Sequence, residues 1–97
     1  MRLEFHPQVA SDISTMMEYY EAIAGRQLAD EFYAELRGAF LKAADSPKAY
    51  SVRTADLRRV NLERFPHHFL FRITNAAVRI LVVRHHGRNP ALGVRRR

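Results

Sequence analysis

The chain has 97 residues, no cysteine, an apolar content of 47% and a net charge of +6, which bound it to one packed domain over residues 1–97 with a small core, without disulfides or thiolate metal sites. The opening MRLEFHPQ has neither an apolar run nor a small-residue cleavage site, and no stretch has the length of a membrane span, so a cytoplasmic protein with no signal peptide and no membrane contact is expected. The charge is polarised: residues 1–50 carry −3 and residues 51–97 carry +9, with eleven arginines and no lysine in the second half, which points to an anionic partner.

Leu3 to His6 reads as a short strand, and Pro7 suits the first turn of a helix. Val9, Ile13, Met16, Met17, Tyr20 and Ile23 then recur at spacings of three and four, one apolar stripe of an amphipathic helix with Asp12, Glu18 and Glu21 off it. Gly25 ends that helix. A second helix, from Arg26 to Ala44, carries the stripe Leu28, Phe32, Leu36, Ala39, Phe40 and Ala43 and stops at Asp45-Ser46-Pro47. The short connection makes the two helices antiparallel neighbours. Residues 46–56 have no period and read as a connecting, mobile loop.

Leu57 to Pro90 reads as a three-stranded meander. Val60 and Leu62 alternate with polar residues, Phe65-Pro66 turns the chain, and His67 to Thr74 alternates again. Asn75-Ala76 is a two-residue turn into a last strand ending at His85. With Thr74 opposite Ala77, Phe71 faces Ile80 and Phe69 faces Val82, an all-apolar face, while Arg72 faces Arg79 on the other side. Placing Arg64 opposite His67 sets Arg59 beside Arg72. The expected second face is then a row of Arg59, Arg72 and Arg79, with Leu70, Leu81, His68, Val83 and His85 next to it. A two-residue slip in register would break this row. Like charges placed directly opposite destabilise a sheet, so such a row suits an anionic ligand. The final arginines of GRNPALGVRRR read as a mobile terminus that adds electrostatic attraction.

The fold expected from these elements is α+β, β-α-α-β-β-β, with a helical hairpin on one face of a small, mainly antiparallel sheet. The histidines fall in two adjacent pairs, His67–His68 and His85–His86, and neighbours on a strand point to opposite faces. No metal site or cofactor is expected, because acids to complete a metal shell are lacking nearby. Glycine-rich phosphate loops and nucleophile elbows are absent. His85 or His86 has the chemistry for acid–base work near neutral pH.

Several segments resemble the ParE/RelE superfamily of toxins from bacterial type II toxin–antitoxin, or plasmid-stabilisation, systems. Arg58-Arg59-Val60-Asn61-Leu62 through Phe65-Pro66-His67 is similar to that family's RR-x-x-L…FPY segment, with His67 where tyrosine is usual. Ile80 to Val83 followed by His85-His86-Gly87-Arg88-Asn89-Pro90 is similar to its ILAV-x-H-x-x-R-x-P ending. Phe5-His6-Pro7 leading into a helix with Tyr19-Tyr20 fits as well. The resemblance implies a toxin neutralised by a cognate antitoxin in a hetero-oligomer, with acidic antitoxin residues meeting the basic sheet. The FP turn and the H-x-x-R-x-P ending look more like the ParE branch, which inhibits DNA gyrase and is not itself an enzyme. The alternative is a RelE-like endoribonuclease that cuts mRNA on the ribosome, for which Arg59, Arg72, Arg79, His85 and Arg88 would be the catalytic set. An arginine and an aromatic hydroxyl of those relatives correspond here to His68 and Gly87. Degenerate toxins that retain only antitoxin binding, and nucleic-acid-binding modules of this fold, are further alternatives. The target or antitoxin surface is expected at Arg59, Arg72, Arg79, His68, His85 and Arg88.

Overall fold

The computed structural model describes residues 1–97. Its elements are β1 (Arg2–Phe5), α1 (Val9–Ala24), α2 (Arg26–Asp45), a 3-10 turn (Pro47–Ala49), β2 (Val52–Thr54), β3 (Leu57–Asn61), β4 (His67–Ile73) and β5 (Ala77–His85). Gly25 divides the helical hairpin: its φ of 89° suits a residue without Cβ, and its amide closes α1 on the Glu21 carbonyl at 2.9 Å. The strands form one sheet in the order β1-β5-β4-β3-β2. Every neighbouring pair is antiparallel except β1 with β5, which run parallel because the hairpin forms their crossover.

The hairpin covers one face of the sheet. Val9 and Tyr20 from α1 and Phe32, Leu36, Phe40 and Ala43 from α2 bury against Val60, Phe69, Phe71, Val78, Ile80 and Val83. The α2 stripe is therefore core, as its spacing predicts. Ile23, at the end of the α1 stripe, is 59% exposed instead. Tyr20, Phe32 and Phe65 pack as a nest with ring centroids 5.1–5.2 Å apart. The adjoining β3–β4 turn is held from α2, where Glu35 Oε2 accepts the amides of Glu63 at 2.7 Å and Arg64 at 3.3 Å.

Four sequence expectations are corrected. Residues 46–56 are not a mobile loop, because they hold the 3-10 turn and the edge strand β2, joined to β3 by a tight turn at Ala55-Asp56. The β3–β4 loop is longer than the expected turn with Arg64 opposite His67: the Leu62 amide donates to the His67 carbonyl, and Arg59 pairs with Leu70, not Arg72. In β5 the register shifts after Ile80, so Leu70 meets Val82 and Phe69 meets Val83. Leu81 is the extra residue of a bulge. From there on each side chain of β5 changes face: Val83 joins the helix-side core, while Val82 joins Leu57, Leu70 and Leu81 on the other face.

The last correction concerns the tail. Instead of a mobile terminus, residues 87–97 fold back over that other face. Arg84 Nη1 donates to the carbonyls of Pro90 and Leu92 at 2.8 and 2.7 Å, and Val94 packs on the second apolar cluster. Gly93, at φ 80°, passes so close to Val82 that a Cβ would stand 2.5 Å from it. Arg96 ends the strap, binding Asp12 of α1 and the Leu81 carbonyl freed by the bulge.

Candidate functional site

The sheet brings all four adjacent histidines to one end, where β4 begins and β5 stops. His67 faces His85 across the strands on the helix side, with ring centroids 5.2 Å apart. His68 lies on the other face, and the chain leaving β5 stacks His86 on it with centroids 5.1 Å apart and planes 12° from parallel. The bulge is why His85 and His68, expected on one face, stand on opposite faces.

A guanidinium only donates, and that fixes the protons. Arg84 Nε donates to His68 Nε2 at 2.8 Å, so His68 carries its proton on Nδ1. That Nδ1 donates to His86 Nδ1 at 2.8 Å, and Arg59 Nη2 lies 3.4 Å from the same atom. His86 thus keeps its proton on Nε2. The chain Arg84–His68–His86–Arg59 works only with neutral imidazoles. Burial first, then the charges of Arg59 and Arg84, pushes His68 down to about 3. Burial and Arg59 hold His86 below its ordinary value. His67 is pushed down to about 4, mainly by burial among Tyr20, Phe32 and His85. Tyr20, its hydroxyl 3.4 Å from His67 Nδ1, is shifted up by burial.

Two depressions flank this end. One, about 700 Å³, lies between α1 and β5 and is lined by Met16, Tyr19, Tyr20 and Ile23 on one wall and Pro66, His67, Val83, His85 and Arg88 on the other. Tyr19 and Ile23, both 59% exposed, give its helix wall an open apolar surface. The other, about 500 Å³, lies on the strap side between β2, β3 and the tail; Arg53, Arg59, Arg84 and Arg95 line it around Leu70 and Val94, with no acidic residue.

Residues 3–90 match the family model described as the ParE toxin of the type II toxin–antitoxin system parDE. The chain belongs to the ParE toxin family. It is the toxin component of a type II toxin–antitoxin system. Among solved structures it is similar to a chain of the chromosomal ParDE toxin–antitoxin system from P. aeruginosa, at 19% identity, covering 88% of this chain and 95% of that one, with a TM-score of 0.78. It is also similar to a chain of the intact E. coli RelBE toxin–antitoxin complex, at 14% identity, covering 90% of this chain and 98% of that one, with a TM-score of 0.58. At these identities both likenesses speak for the fold, which is the expected α+β arrangement. No curated protein matches the chain in sequence.

In this ParE-family chain the six predicted surface residues do not form one site. Arg72 faces Arg79 as expected, but each meets an acid: Arg72 Nε and Nη2 donate to Asp56 at 2.9 and 3.2 Å, and Arg79 stands 3.8 Å from Glu4 while donating to the Arg97 carbonyl. Arg59 has moved two residues along, toward His68 and His86. His85 and Arg88 belong to the apolar depression on the helix side. The sequence reading missed Arg84 entirely. Its signal was an arginine inside an otherwise apolar strand, and a buried guanidinium needs several acceptors to be stable there.

Proposed function

We propose that this ParE-family toxin acts by binding DNA gyrase, not by cleaving RNA, and that a cognate antitoxin holds it inactive in a hetero-oligomer in the cytoplasm. The carrying observation is the loss of the arginine row. RNA cleavage needs cations to stabilise charge on the phosphate and, beside them, a group free to move a proton. Arg72 is paired with Asp56, and Arg79 lies 3.8 Å from Glu4, which also pairs with Arg2. His68, pushed down to about 3, is buried and committed at both ring nitrogens. His85 and Arg88 stand on the opposite side of the sheet from Arg59. That arrangement favours recognition over acid–base chemistry. No helix is long and apolar enough to cross a membrane.

The apolar depression supports the partner reading. An amphipathic antitoxin segment would lay its apolar side on Met16, Tyr19 and Ile23 and direct acids to His85 and Arg88. The test begins with expression in bacteria without antitoxin, where growth should stop. Purified protein should then block gyrase supercoiling and leave ribosome-bound mRNA whole. Cleaved mRNA with unaffected gyrase would overturn the choice of target.

A further inference from the structure

We propose that the outer edge of β1 pairs with the same edge of a second copy of this chain, antiparallel about a twofold axis at Leu3, so that two molecules share one continuous sheet. This edge lies at the far end of the sheet from β2, and the inference does not depend on which target the toxin has.

The backbone sets the geometry. β1 is an edge strand with β5 on one side only. The amides of Arg2 and His6 donate to the carbonyls of Ala76 and Ile80 at 3.4 and 2.9 Å, so the even-numbered residues of β1 turn their backbone groups toward β5. By the alternation of a strand, Leu3 and Phe5 turn theirs toward the open edge. Two such edges laid antiparallel, with Leu3 opposite Leu3 of the second copy, complete a hydrogen-bonded pair: each Leu3 amide donates to the other Leu3 carbonyl. The Phe5 amide of each copy then reaches the Met1 carbonyl of the other. The strand is held at its start, where the Met1 ammonium donates to the Ala44 carbonyl at 2.8 Å, and Pro7 ends the pairing beyond His6.

The side chains select the occupant and the register. Leu3 and Phe5 face the helices: Leu3 packs on the core, and the Phe5 ring stands edge-on to Phe40 with centroids 5.3 Å apart. Met1 shares that face by alternation, and Met1 and Phe5 remain 52% and 44% exposed. Arg2 and Glu4 face the other side, with Glu4 near Arg79. With Leu3 opposite itself, Met1 of each copy lies opposite Phe5 of the other, and Arg2 lies opposite Glu4. Apolar meets apolar and cation meets anion at every position. A slip of two residues in one direction sets Arg2 against Arg2, and in the other direction Glu4 against Glu4, so the charges hold the register. A segment of one charge sign would satisfy either Arg2 or Glu4 and oppose the other, whereas β1 itself carries both in the matching order. The opposite edge lacks this property: β2 turned about its middle residue faces Arg53 with Arg53. Two strands of four residues make a small interface beside the ~1,200–2,000 Å² of standard ones, so the dimer is expected to be reversible, with Kd in the high-micromolar range.

Sedimentation equilibrium of the purified protein, from low-micromolar to millimolar concentration, tests this. The parent should pass from monomer to dimer. Arg2→Glu and Glu4→Arg each set like charges opposite one another across the axis, and each should weaken the dimer roughly tenfold or more while its far-ultraviolet circular dichroism stays that of the parent. Mixed in equal amounts, the two variants should associate again, because every charge reversed in one meets its opposite in the other. Amide exchange at Leu3 and Phe5 should slow as the parent is concentrated, with Arg2 and Glu4 unchanged. The proposal is overturned by a parent that stays monomeric throughout, by dimers that persist equally in both single variants, by a mixture of folded variants that stays monomeric, or by exchange at Leu3 and Phe5 that is independent of concentration. Should either variant fail to fold, sedimentation and exchange of the parent decide it.

Discussion

Arg96 and Asp12, 84 residues apart, tie the two ends of the chain together: Nη1 and Nη2 meet the two carboxylate oxygens at 2.6 and 3.1 Å, and both side chains are only 14% exposed. The same Asp12 oxygen accepts the Val83 amide at 3.1 Å, and Arg96 Nη1 donates to the Leu81 carbonyl at 3.0 Å. The pair thus caps the edge of β5 just past the point where β1 ends, on both sides of the bulge. Removing Arg96 leaves a largely buried carboxylate with one donor. Arg96→Ala should cost about 1–3 kcal/mol in urea unfolding. Arg97→Ala, whose side chain has no acidic partner, should change stability by less than about 0.5 kcal/mol. Equal effects would mean that the clamp contributes nothing specific.

Gly93 is the second fixing point of the strap. Its φ of 80° disfavours any Cβ, and the Val82 side chain occupies the space a Cβ would need. Gly93→Ala should destabilise by about 2–4 kcal/mol, or release the strap and leave the hairpin core in place. Trypsin distinguishes the outcomes: release exposes Arg95–Arg97 to faster cleavage while the rest of the chain resists. A variant with unchanged unfolding and unchanged cleavage would show that the tail is not held there.

What the sequence made legible and what it hid follow from the range of the interactions. The helices could be read because their stripes repeat every three to four residues and Gly25 and Pro47 mark their ends. The β4–β5 turn could be read from Asn75, and its register holds for Ile73–Val78, Arg72–Arg79 and Phe71–Ile80. The bulge left no trace because Ile80, Leu81, Val82 and Val83 are all apolar, so an inserted residue breaks no alternation. β2 was missed because it has three residues and turns through Ala55, a residue with a Cβ at φ 49°. The strap rests on contacts 6 to 84 residues long in sequence, which no local pattern encodes. The candidate site suffered most, since moving a strand by one or two residues exchanges its faces or its neighbours.

The buried histidines set an acid limit to stability. His67 and His68 have folded-state values pushed down to about 4 and about 3, below the ordinary 6.5. Between those values and 6.5 the unfolded chain binds protons that the folded chain refuses. Stability is therefore fully present above about pH 6.5 and falls as the pH drops, by up to about 1.4 kcal/mol per pH unit for each proton taken up on unfolding. Glu31 and Asp56, both lowered by their arginine partners, add to the loss only nearer their ordinary values of 4.5 and 3.8. The limb from pH 6.5 to 4.5 therefore belongs to histidine, with His6 and His86 lowered in the same direction. His67→Phe keeps the aromatic packing against Tyr20 and Phe32 and should flatten this limb. An unchanged slope in denaturation curves across that range would remove His67 from the account.

Arg88 and Tyr19 test the apolar depression as a partner surface, with His85 beside Arg88 on its wall. Arg88 and His85 are exposed, and neither belongs to the core or to an ion pair. Arg88→Ala should leave unfolding within about 0.5 kcal/mol of the parent. If an antitoxin segment seats between α1 and β5 as proposed, the same substitution should weaken its binding by about tenfold or less, since a rim charge contributes about 1 kcal/mol. Tyr19→Ala, which removes an exposed ring from the opposite wall, should weaken binding further, as aromatic anchors carry more of an interface than rim charges do. Calorimetric titration of the purified antitoxin measures both. If both variants bind as the parent does, the antitoxin must sit elsewhere, and the depression loses its assignment.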